Sequence, residues 1–236
     1  MIIEKFFDII SKFHHYKIAS YVKKLNCNNL IDIGCHKGEF LTSLINTNKF
    51  NQFYCFEPQQ KIFRILIKKF NKNKKVKLFN FALGDCLRKK KFYVSNLTQT
   101  STMSKFDKKS NYLKIKNYLI GNNYKKEKIL LVQQKTLDHV FKNISLNKSL
   151  VKIDVEGYEI NVLKGSKNKI KEVPFILIEK QIFNQYKNNF DLVNNFLINN
   201  NFTVNKIFYF PTLHYQDIIY KNKNPRNFRS KGFNFV

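Results

Sequence analysis

Several residue types are scarce in this chain of 236 residues, and the few cysteines and the lack of long apolar runs each exclude a class of protein. Tryptophan is absent. The four cysteines show no CxxC pair and no metal-type spacing; they are Cys27, Cys35, Cys55 and Cys86. We therefore predict a reduced, cytoplasmic protein without a disulfide framework and without a metal site. No apolar run approaches the roughly 18 residues of a membrane span, so no transmembrane segment is predicted.

Acidic residues are also scarce, and arginine is scarcer still. The chain has 43 Lys and Arg against 16 Asp and Glu, a net charge of +27, but its only arginines are Arg64, Arg88, Arg226 and Arg229. Clustered cations bind phosphate backbones, yet recognition of phosphates and bases favours the forked guanidinium of arginine. The surplus of lysine, asparagine, isoleucine and phenylalanine is typical of an AT-rich genome. We therefore argue against a nucleic-acid partner, although a positive surface would attract anionic substrates or membranes.

The first 25 residues form a predicted N-terminal helical extension. Glu4, Lys5 and Asp8 interrupt its apolar residues, which argues against a signal peptide. The periodicity indicates an amphipathic helix that packs on the domain or on a partner chain, as in a homo-oligomer, rather than on a membrane. The residues expected on its apolar side are Ile2, Ile3, Phe6, Ile9, Ile10 and Phe13.

Strands and helices alternate over residues 26–236, which we interpret as one domain. This alternation predicts an α/β fold with a mostly parallel sheet and helices on both faces. The last two strands are separated by a short loop, which predicts an antiparallel hairpin at the sheet edge. Strands are expected at Asn29–Gly34, Phe53–Glu57, Val76–Leu83, Leu150–Val155, Phe175–Glu179, Val204–Phe210 and Asp217–Tyr220. Helices are expected at about Glu39–Asn46, Gln59–Phe70, Tyr158–Leu163 and Phe190–Asn199.

An insertion at about residues 86–148 interrupts this alternation. It begins with the cationic run Arg88–Lys91 and contains two strand-like pieces, at residues 92–95 and at Ile129–Gln133. Long insertions of this kind are often lids or substrate loops. A surface excursion without a role in the site is an equally good interpretation.

Acids and glycines concentrate where the predicted strands end. Parallel sheets bind ligands beyond these carboxyl ends, and glycine permits positive φ and close approach of a ligand. The acids are Asp32, Glu57, Asp85, Asp154, Glu156, Glu159 and Glu179; the glycines are Gly34, Gly38, Gly84 and Gly157.

The turn from Asp32 to Gly38 follows the first strand and begins a helix, so its backbone N–H groups can point toward a ligand. Glu57 ends the second strand, where a carboxylate can accept both hydrogens of a ribose diol. Dinucleotide sites have the pattern GxGxxG, but here positions 34 to 38 give only GxxxG, with His36 in the middle. The turn therefore favours S-adenosylmethionine over a nicotinamide dinucleotide. A plain strand–helix turn with a capping acid is the alternative.

Five motifs, in order along the chain, resemble the FkbM family of methyltransferases. They are the Asp32–Gly38 turn, FEP at Phe56–Pro58, ALGD at Ala82–Asp85, TLD at Thr136–Asp138 and KIDVEGYEINVLKG at Lys152–Gly165. The resemblance implies a class I methyltransferase (Rossmann-like) fold with a seven-stranded sheet, S-adenosyl-L-methionine as donor, and O-methylation of a hydroxyl on a small molecule or glycan. The family commonly has asparagine where this chain has His36.

The resemblance also implies which residues form the site. Asp32, Gly34 and Gly38 would surround the methionine and ribose, Glu57 the ribose hydroxyls, and the ALGD segment the adenine. The expected cofactor-binding residues are Asp32, Gly34, His36, Gly38, Glu57, Pro58, Ala82, Leu83, Asp85 and Asp154.

Methyl transfer to an alcohol requires alignment of the acceptor oxygen and benefits from a general base. Asp154 and Glu156 are the expected catalytic residues, followed as candidate bases by His36 and His214. The alternatives are a nucleic-acid methyltransferase that uses the basic surface and a non-catalytic cofactor-binding protein. The (D/N)PP(Y/F) turn of enzymes that methylate base amino groups is absent after the fourth strand, where the chain reads Asp-Val-Glu-Gly.

Overall fold

The computed structural model describes residues 2–94, 101–104, 128–182, 190–212 and 215–226, with side chains from residue 9 onward. The helices are α1 Ile2–Val22, α2 Glu39–Ile45, α3 Gln60–Phe70, α4 Leu137–Val140, α5 Glu159–Lys164 and α6 Phe190–Asn199. The strands are β1 Asn29–Ile33, β2 Gln52–Phe56, β3 Val76–Phe79, β4 Ala82–Leu83, β5 Arg88–Val94, β6 Lys128–Lys135, β7 Ser149–Ile153, β8 Phe175–Gln181, β9 Phe202–Tyr209 and β10 Tyr215–Asn222. Among these helices, none has the length and hydropathy needed to cross a membrane.

Seven strands form one sheet in the order β3-β2-β1-β7-β8-β10-β9. Neighbours from β3 to β8 run parallel, whereas β10 runs antiparallel to both β8 and β9. The predicted fold class is therefore confirmed, including the antiparallel hairpin at the edge. The order reverses between β1 and β7, and this reversal opens a crevice at the carboxyl ends of the central strands.

Alternating side chains of the central strands bury two separate apolar cores, one on each face of the sheet. Ile31 and Ile33 of β1 face the core that α4, α5 and α6 complete. Leu30 faces the core that α1, α2 and α3 complete. The near-continuous apolar sequence of these strands is explained by helices on both sides.

The predicted strand over Val76–Leu83 is wrong as a single element. The structure breaks it at Asn80, whose Nδ2 donates to the carbonyls of Glu57 and Pro58 at 2.8 and 3.2 Å. The chain turns there, and β4 joins a second sheet of three strands in the order β4-β6-β5. A polar side chain that bonds to the backbone of another segment thus ends an otherwise uniform apolar pattern.

The insertion supplies the rest of this second sheet. Strand β5 carries the exposed cationic run and pairs antiparallel with β6 along its whole length. The lysine-rich part of the insertion, residues 105–127, lies outside the described residues.

The N-terminal helix is present and packs on the domain, but where its side chains are described it does not do so through the expected apolar side. Ile9 and Phe13 are 65% and 72% exposed, whereas His14, Ile18 and Val22 are buried against the domain. The buried face of α1 is therefore rotated away from the expected apolar side. The predicted positions of Ile2, Ile3 and Phe6 lie outside the described side chains.

Candidate functional site

A cleft lies at the carboxyl ends of β1, β2 and β7, with about 510 Å³ of empty space, part of it open to solvent. Four segments of the sheet domain and part of the insertion line it. The lining residues are Ile33, Gly34, His36, Phe56, Glu57, Pro58, Gln59, Ala82, Leu83, Phe92, Ser101, Met103, Asp154, Val155 and Glu156.

The turn after β1 places backbone directly against the turn after β7. Gly34 has φ 85°, and a Cβ at this position would lie 1.9 Å from the carbonyl oxygen of Asp154. The N–H of Asp154 in turn donates to the carbonyl of Ile33 at 3.0 Å. Only glycine allows the backbone at position 34 to come this close to the carbonyl of Asp154. The close contact brings the backbones of both turns to the cleft.

Glu57 is a buried carboxylate at the end of β2. Its Oε1 accepts the N–H of Gln59 at 2.7 Å, which fixes the side chain at the cleft wall. Burial raises the pKa of Glu57 from its ordinary value of 4.5 to about 7, although the N–H of Gln59 and the neighbouring His36 oppose this shift. The protonation of the group thus changes in the neutral range.

This shift predicts a pH-dependent stability effect in the cofactor-free protein. Between pH 4.5 and 7 the folded protein retains a proton on Glu57 that the unfolded chain has released, so ionisation lowers stability as the pH rises. The unfolding free energy of Glu57→Gln, relative to that of the wild type, should increase by about 3 kcal/mol when the pH is raised from 4.5 to 8. Urea denaturation at both pH values measures the difference.

Glu39→Gln is the matched control, and the pH dependence of its stability effect should have the opposite sign. Burial acts against the charge of Glu39, but its bond to His36 Nδ1 at 3.0 Å leaves the pKa of Glu39 lowered. Replacement of Glu39 should therefore lose stability as the pH rises through its titration. A stability difference for Glu57→Gln that does not change with pH would contradict the assignment of a raised pKa.

Part of the insertion docks onto the turn after β7. Thr102 donates its hydroxyl to the carbonyl of Glu156 at 2.6 Å, and Ser104 donates to the carbonyl of Gly157 at 2.5 Å. The neighbouring Ser101 and Met103 line the cleft. Residues 101–104 of the insertion therefore lie at the cleft, and their role as a substrate loop stays a prediction from the sequence.

A row of charged residues crosses the sheet on the face covered by α1 and α2. Asp32 and Lys152 are register partners on β1 and β7, with Lys152 Nζ 3.7 Å from Asp32 Oδ1 and 2.8 Å from Asp154 Oδ2. Burial opposes the charge of Lys152, but the two carboxylates raise its pKa above the ordinary value. Burial raises the pKa of Asp32 to about 6 in spite of Lys152. Neither oxygen of Asp32 has a hydrogen-bond partner among the described residues.

The same row continues to β8, where Glu179 lies close to two acids of the turn after β7. Asp154, Glu156 and Glu179 each bring a carboxylate oxygen within 4.8 Å of the others, a spacing that could hold a cation. Burial, followed by the charges of Asp154 and Glu156, raises the pKa of Glu179 well above its usual range. Gln181 Nε2 donates to Glu156 Oε2 at 2.7 Å and fixes that side chain. Two of these acids, Asp154 and Glu156, line the cleft.

Helix α1 covers this row with two histidines that the sequence analysis did not select. His14 Nε2 and Asp217 Oδ2 are hydrogen-bonded at 2.8 Å, and Asp217 is the register partner of Glu179. His15 packs edge-on against Phe40, and burial followed by the charge of Lys152 lowers the pKa of His15. His14 and Asp217 are 203 positions apart, so no local pattern could have paired them.

The structure brings eight of the predicted site residues to the cleft and places three elsewhere. Asp32 is buried beneath Lys152, on the far side of β1 from Ile33. Gly38 packs against the ring of Phe70, and Asp85 accepts a hydrogen bond from Gln134 at 2.9 Å. Those at the cleft are Gly34, His36, Glu57, Pro58, Ala82, Leu83, Asp154 and Glu156. His214, a candidate base, lies outside the described residues.

Residues 32–204 match the Methyltransferase FkbM domain. The chain belongs to this family. The match runs from Asp32, near the end of β1, to the start of β9 and contains all the residues that line the cleft. No curated protein sequence matches the chain.

Solved structures with a similar fold share little sequence with this FkbM-family protein. The methyltransferase domain of bacterial CtHen1-C has a TM-score of 0.52 and 9% identity over 90% of this chain and 98% of that one. Streptococcus pneumoniae Sp1610, in complex with S-adenosyl-L-methionine, has a TM-score of 0.51 and 10% identity over 89% and 74%. The Escherichia coli protein yhhF has a TM-score of 0.51 and 8% identity over 90% and 86%. At these identities the similarity shows the fold alone.

The cleft of this FkbM-family protein suits the cofactor that the sequence analysis predicted. The carboxylate of Glu57, predicted to bind the ribose diol, lies in the cleft wall, and the glycine at position 34 leaves room for a ligand beside the backbone. Family membership confirms the expectation of an S-adenosylmethionine-dependent methyltransferase. Glu57 and the backbone of the β1 turn are the groups that would hold this cofactor.

Proposed function

We propose that this protein transfers the methyl group of S-adenosylmethionine to a hydroxyl of a small molecule or glycan. The carboxylate cluster at the acceptor end of the cleft is the observation that supports this proposal. Asp154, Glu156 and Glu179 hold their oxygens within 4.8 Å of one another in a chain of net charge +27. Such a concentration of acids repels phosphate and accepts the proton of a neutral alcohol.

Asp154 is the proposed proton acceptor. It lines the cleft directly after β7, and its Oδ2 bonds to Lys152 at 2.8 Å, which fixes the carboxylate in one orientation. When bound, the cofactor supplies an electrophilic methyl group. The carboxylate of Asp154 orients the acceptor hydroxyl and takes its proton as the new oxygen–carbon bond forms. Glu156, fixed by Gln181, orients the rest of the acceptor.

The basic composition favours a second candidate, a nucleic-acid methyltransferase. Exposed cations on β5, such as Arg88, Lys89 and Lys91, could contact a phosphate backbone. Against this candidate, the turn after β7 reads Asp-Val-Glu-Gly and presents carboxylates where an extruded base would have to bind. The cytoplasmic location and a homo-oligomeric state remain predictions from the sequence.

The test compares acceptors and variants in one assay. Formation of S-adenosylhomocysteine is followed with a panel of neutral polyols and glycans, with their anionic derivatives, and with tRNA. We expect turnover with a hydroxyl acceptor, and Asp154→Asn should lower kcat by about 10²–10⁴-fold, as expected for loss of a general base. Asp191→Asn, an exposed carboxylate on α6 with no predicted role in the site, is the matched control.

Three results would count against this proposal. Turnover on tRNA with none on hydroxyl acceptors would favour the nucleic-acid candidate. Cofactor binding without turnover on any acceptor would favour a non-catalytic binding protein. An undiminished kcat in the Asp154→Asn variant would remove Asp154 as the base.

A further inference from the structure

The outward face of α1 exposes three large apolar side chains that share one side of the helix. Ile9, Phe13 and Tyr16 are 65%, 72% and 58% exposed. Their spacing of four and three residues places them along a single stripe. Exposed apolar residues scattered singly are ordinary, but a stripe on one helix indicates a surface that is covered in the working protein.

Lysines border this stripe. Lys12, Lys17, Lys23 and Lys24 are all exposed, and the sequence from residue 9 to residue 25 contains no Asp or Glu. From residue 9 onward, where side chains are described, the outward face of α1 and its exit therefore combine apolar and cationic groups without an acid, and the two acids of the helix, Glu4 and Asp8, precede this stretch.

The helix is firmly attached by its opposite face, so the stripe is not the result of a loosely placed helix. Ile18 and Val22 are buried in the core with α2 and α3, and His14 bonds to Asp217 at 2.8 Å. Tyr21 donates to Asn205 Oδ1 at 2.9 Å. The domain thus holds α1 in a fixed orientation with Ile9, Phe13 and Tyr16 pointing away from it.

We propose that this face of α1 docks the protein on the surface of an anionic lipid bilayer. An in-plane amphipathic helix buries its apolar side chains at the boundary between headgroups and acyl chains while its lysines meet anionic headgroups. The sequence analysis preferred packing on the domain or a partner chain; α1 does pack on the domain, but through its opposite face, and for the exposed Ile9 and Phe13 charge argues against a partner chain.

Two other occupants fit this face less well. A second copy of the chain would bring lysine against lysine between two molecules of net charge +27 each. A nucleic acid would satisfy the lysines and could stack on Phe13 and Tyr16, but it offers no apolar partner for Ile9. A bilayer with anionic headgroups matches both components of the surface.

Docking in this orientation has a consequence for the acceptor end of the site. The inner face of α1 contacts Asp217, the register partner of Glu179, so a single helix of about 10 Å diameter separates the bilayer from the carboxylate cluster. The docking itself does not depend on which acceptor the protein methylates.

Because the chain has no tryptophan, a single introduced indole reports the environment of one position. The full-length Phe13→Trp variant is mixed with vesicles of phosphatidylcholine alone and of phosphatidylcholine with phosphatidylglycerol. We expect its emission to shift to shorter wavelength only with the anionic vesicles. Leu131→Trp, at a residue on β6 that is 71% exposed, is the matched control and should show no shift.

Vesicle sedimentation then tests the two components of the surface. The double variant Ile9→Ser with Phe13→Ser should lose at least about tenfold in affinity for anionic vesicles, since two apolar side chains no longer leave water. Lys12→Glu with Lys17→Glu should lower the affinity at low salt and lose its effect at high salt. Thermal unfolding curves like that of the wild type show that these surface variants are folded.

Four outcomes would overturn the proposal. The first is an equal emission shift at positions 13 and 131, which would indicate undirected adsorption by net charge. The second is undiminished vesicle binding by the serine double variant. The third is a shift of the Phe13→Trp emission with single-stranded RNA but not with vesicles. The fourth is a dimer in analytical ultracentrifugation that dissociates in the serine variant, without binding to vesicles.

Discussion

Replacement of Glu57 by alanine should weaken the binding of S-adenosylhomocysteine about 100-fold or more while the protein remains folded. The carboxylate stands at the end of β2, in the wall of the cleft, and is fixed by the N–H of Gln59. Each hydrogen bond from a ribose hydroxyl to a charged group contributes about 1.5–3 kcal/mol, so the loss of two gives this factor. Titration calorimetry measures the affinity, and urea denaturation reports on the fold.

The same residue gives cofactor binding a pH dependence of known sign. The ionised carboxylate accepts both hydroxyl hydrogens, and the pKa of Glu57 in the free protein is about 7 because of burial. Affinity should therefore rise between pH 6 and pH 8 and level off above. The slope should vanish in Glu57→Gln, which keeps the volume of the side chain but cannot ionise.

Glu159→Gln is the matched control for this experiment. Burial likewise raises the pKa of Glu159 to about 7, but its carboxylate accepts the N–H of Gly157 at 2.9 Å and does not line the cleft. Its replacement should leave the affinity within a few fold of the wild type. Unchanged affinity in Glu57→Ala would remove Glu57 from the cofactor site.

The fold could be predicted from the sequence because its signals are local. Buried strands with both faces covered have near-continuous apolar sequences, and glycines and acids mark their carboxyl ends. The turn after β1 and Glu57 were predicted in this way, because residues at the carboxyl ends of parallel strands lie where such sheets bind ligands. Family-like motifs added the turn after β7, with Asp154 and Glu156.

The remainder of the site depends on contacts between distant segments, which one sequence does not reveal. Thr102 reaches the turn after β7 from the insertion, and His14 reaches Asp217 across 203 positions. A side-chain amide at Asn80 divides an apolar run that was predicted as one strand. Among these contacts, only that of Lys152 leaves a signal in the sequence, because a lysine within a buried strand needs a buried counter-charge.

Replacement of Lys152 by methionine should destabilise the protein by about 3–5 kcal/mol at pH 8, the usual cost of leaving a buried charge without its partner. Lys152 is buried between Asp32 and Asp154, and Asp32 has no other polar contact among the described residues. The measurement is the free energy of unfolding in urea. Because unfolding is measured without cofactor, this loss is separate from any effect on cofactor binding through Asp154, which Lys152 also holds at the cleft.

The pH dependence of this loss identifies Asp32 as the cause. Burial already raises the pKa of Asp32 to about 6 with Lys152 present, and removal of the ammonium raises it further. In the Lys152→Met variant Asp32 is therefore protonated at pH 5 and stable in the interior, and its ionisation lowers stability as the pH rises. The destabilisation should be small at pH 5 and large at pH 8. The double variant Asp32→Asn with Lys152→Met should recover most of the loss at pH 8, and a loss independent of pH would mean that Lys152 contributes packing rather than charge.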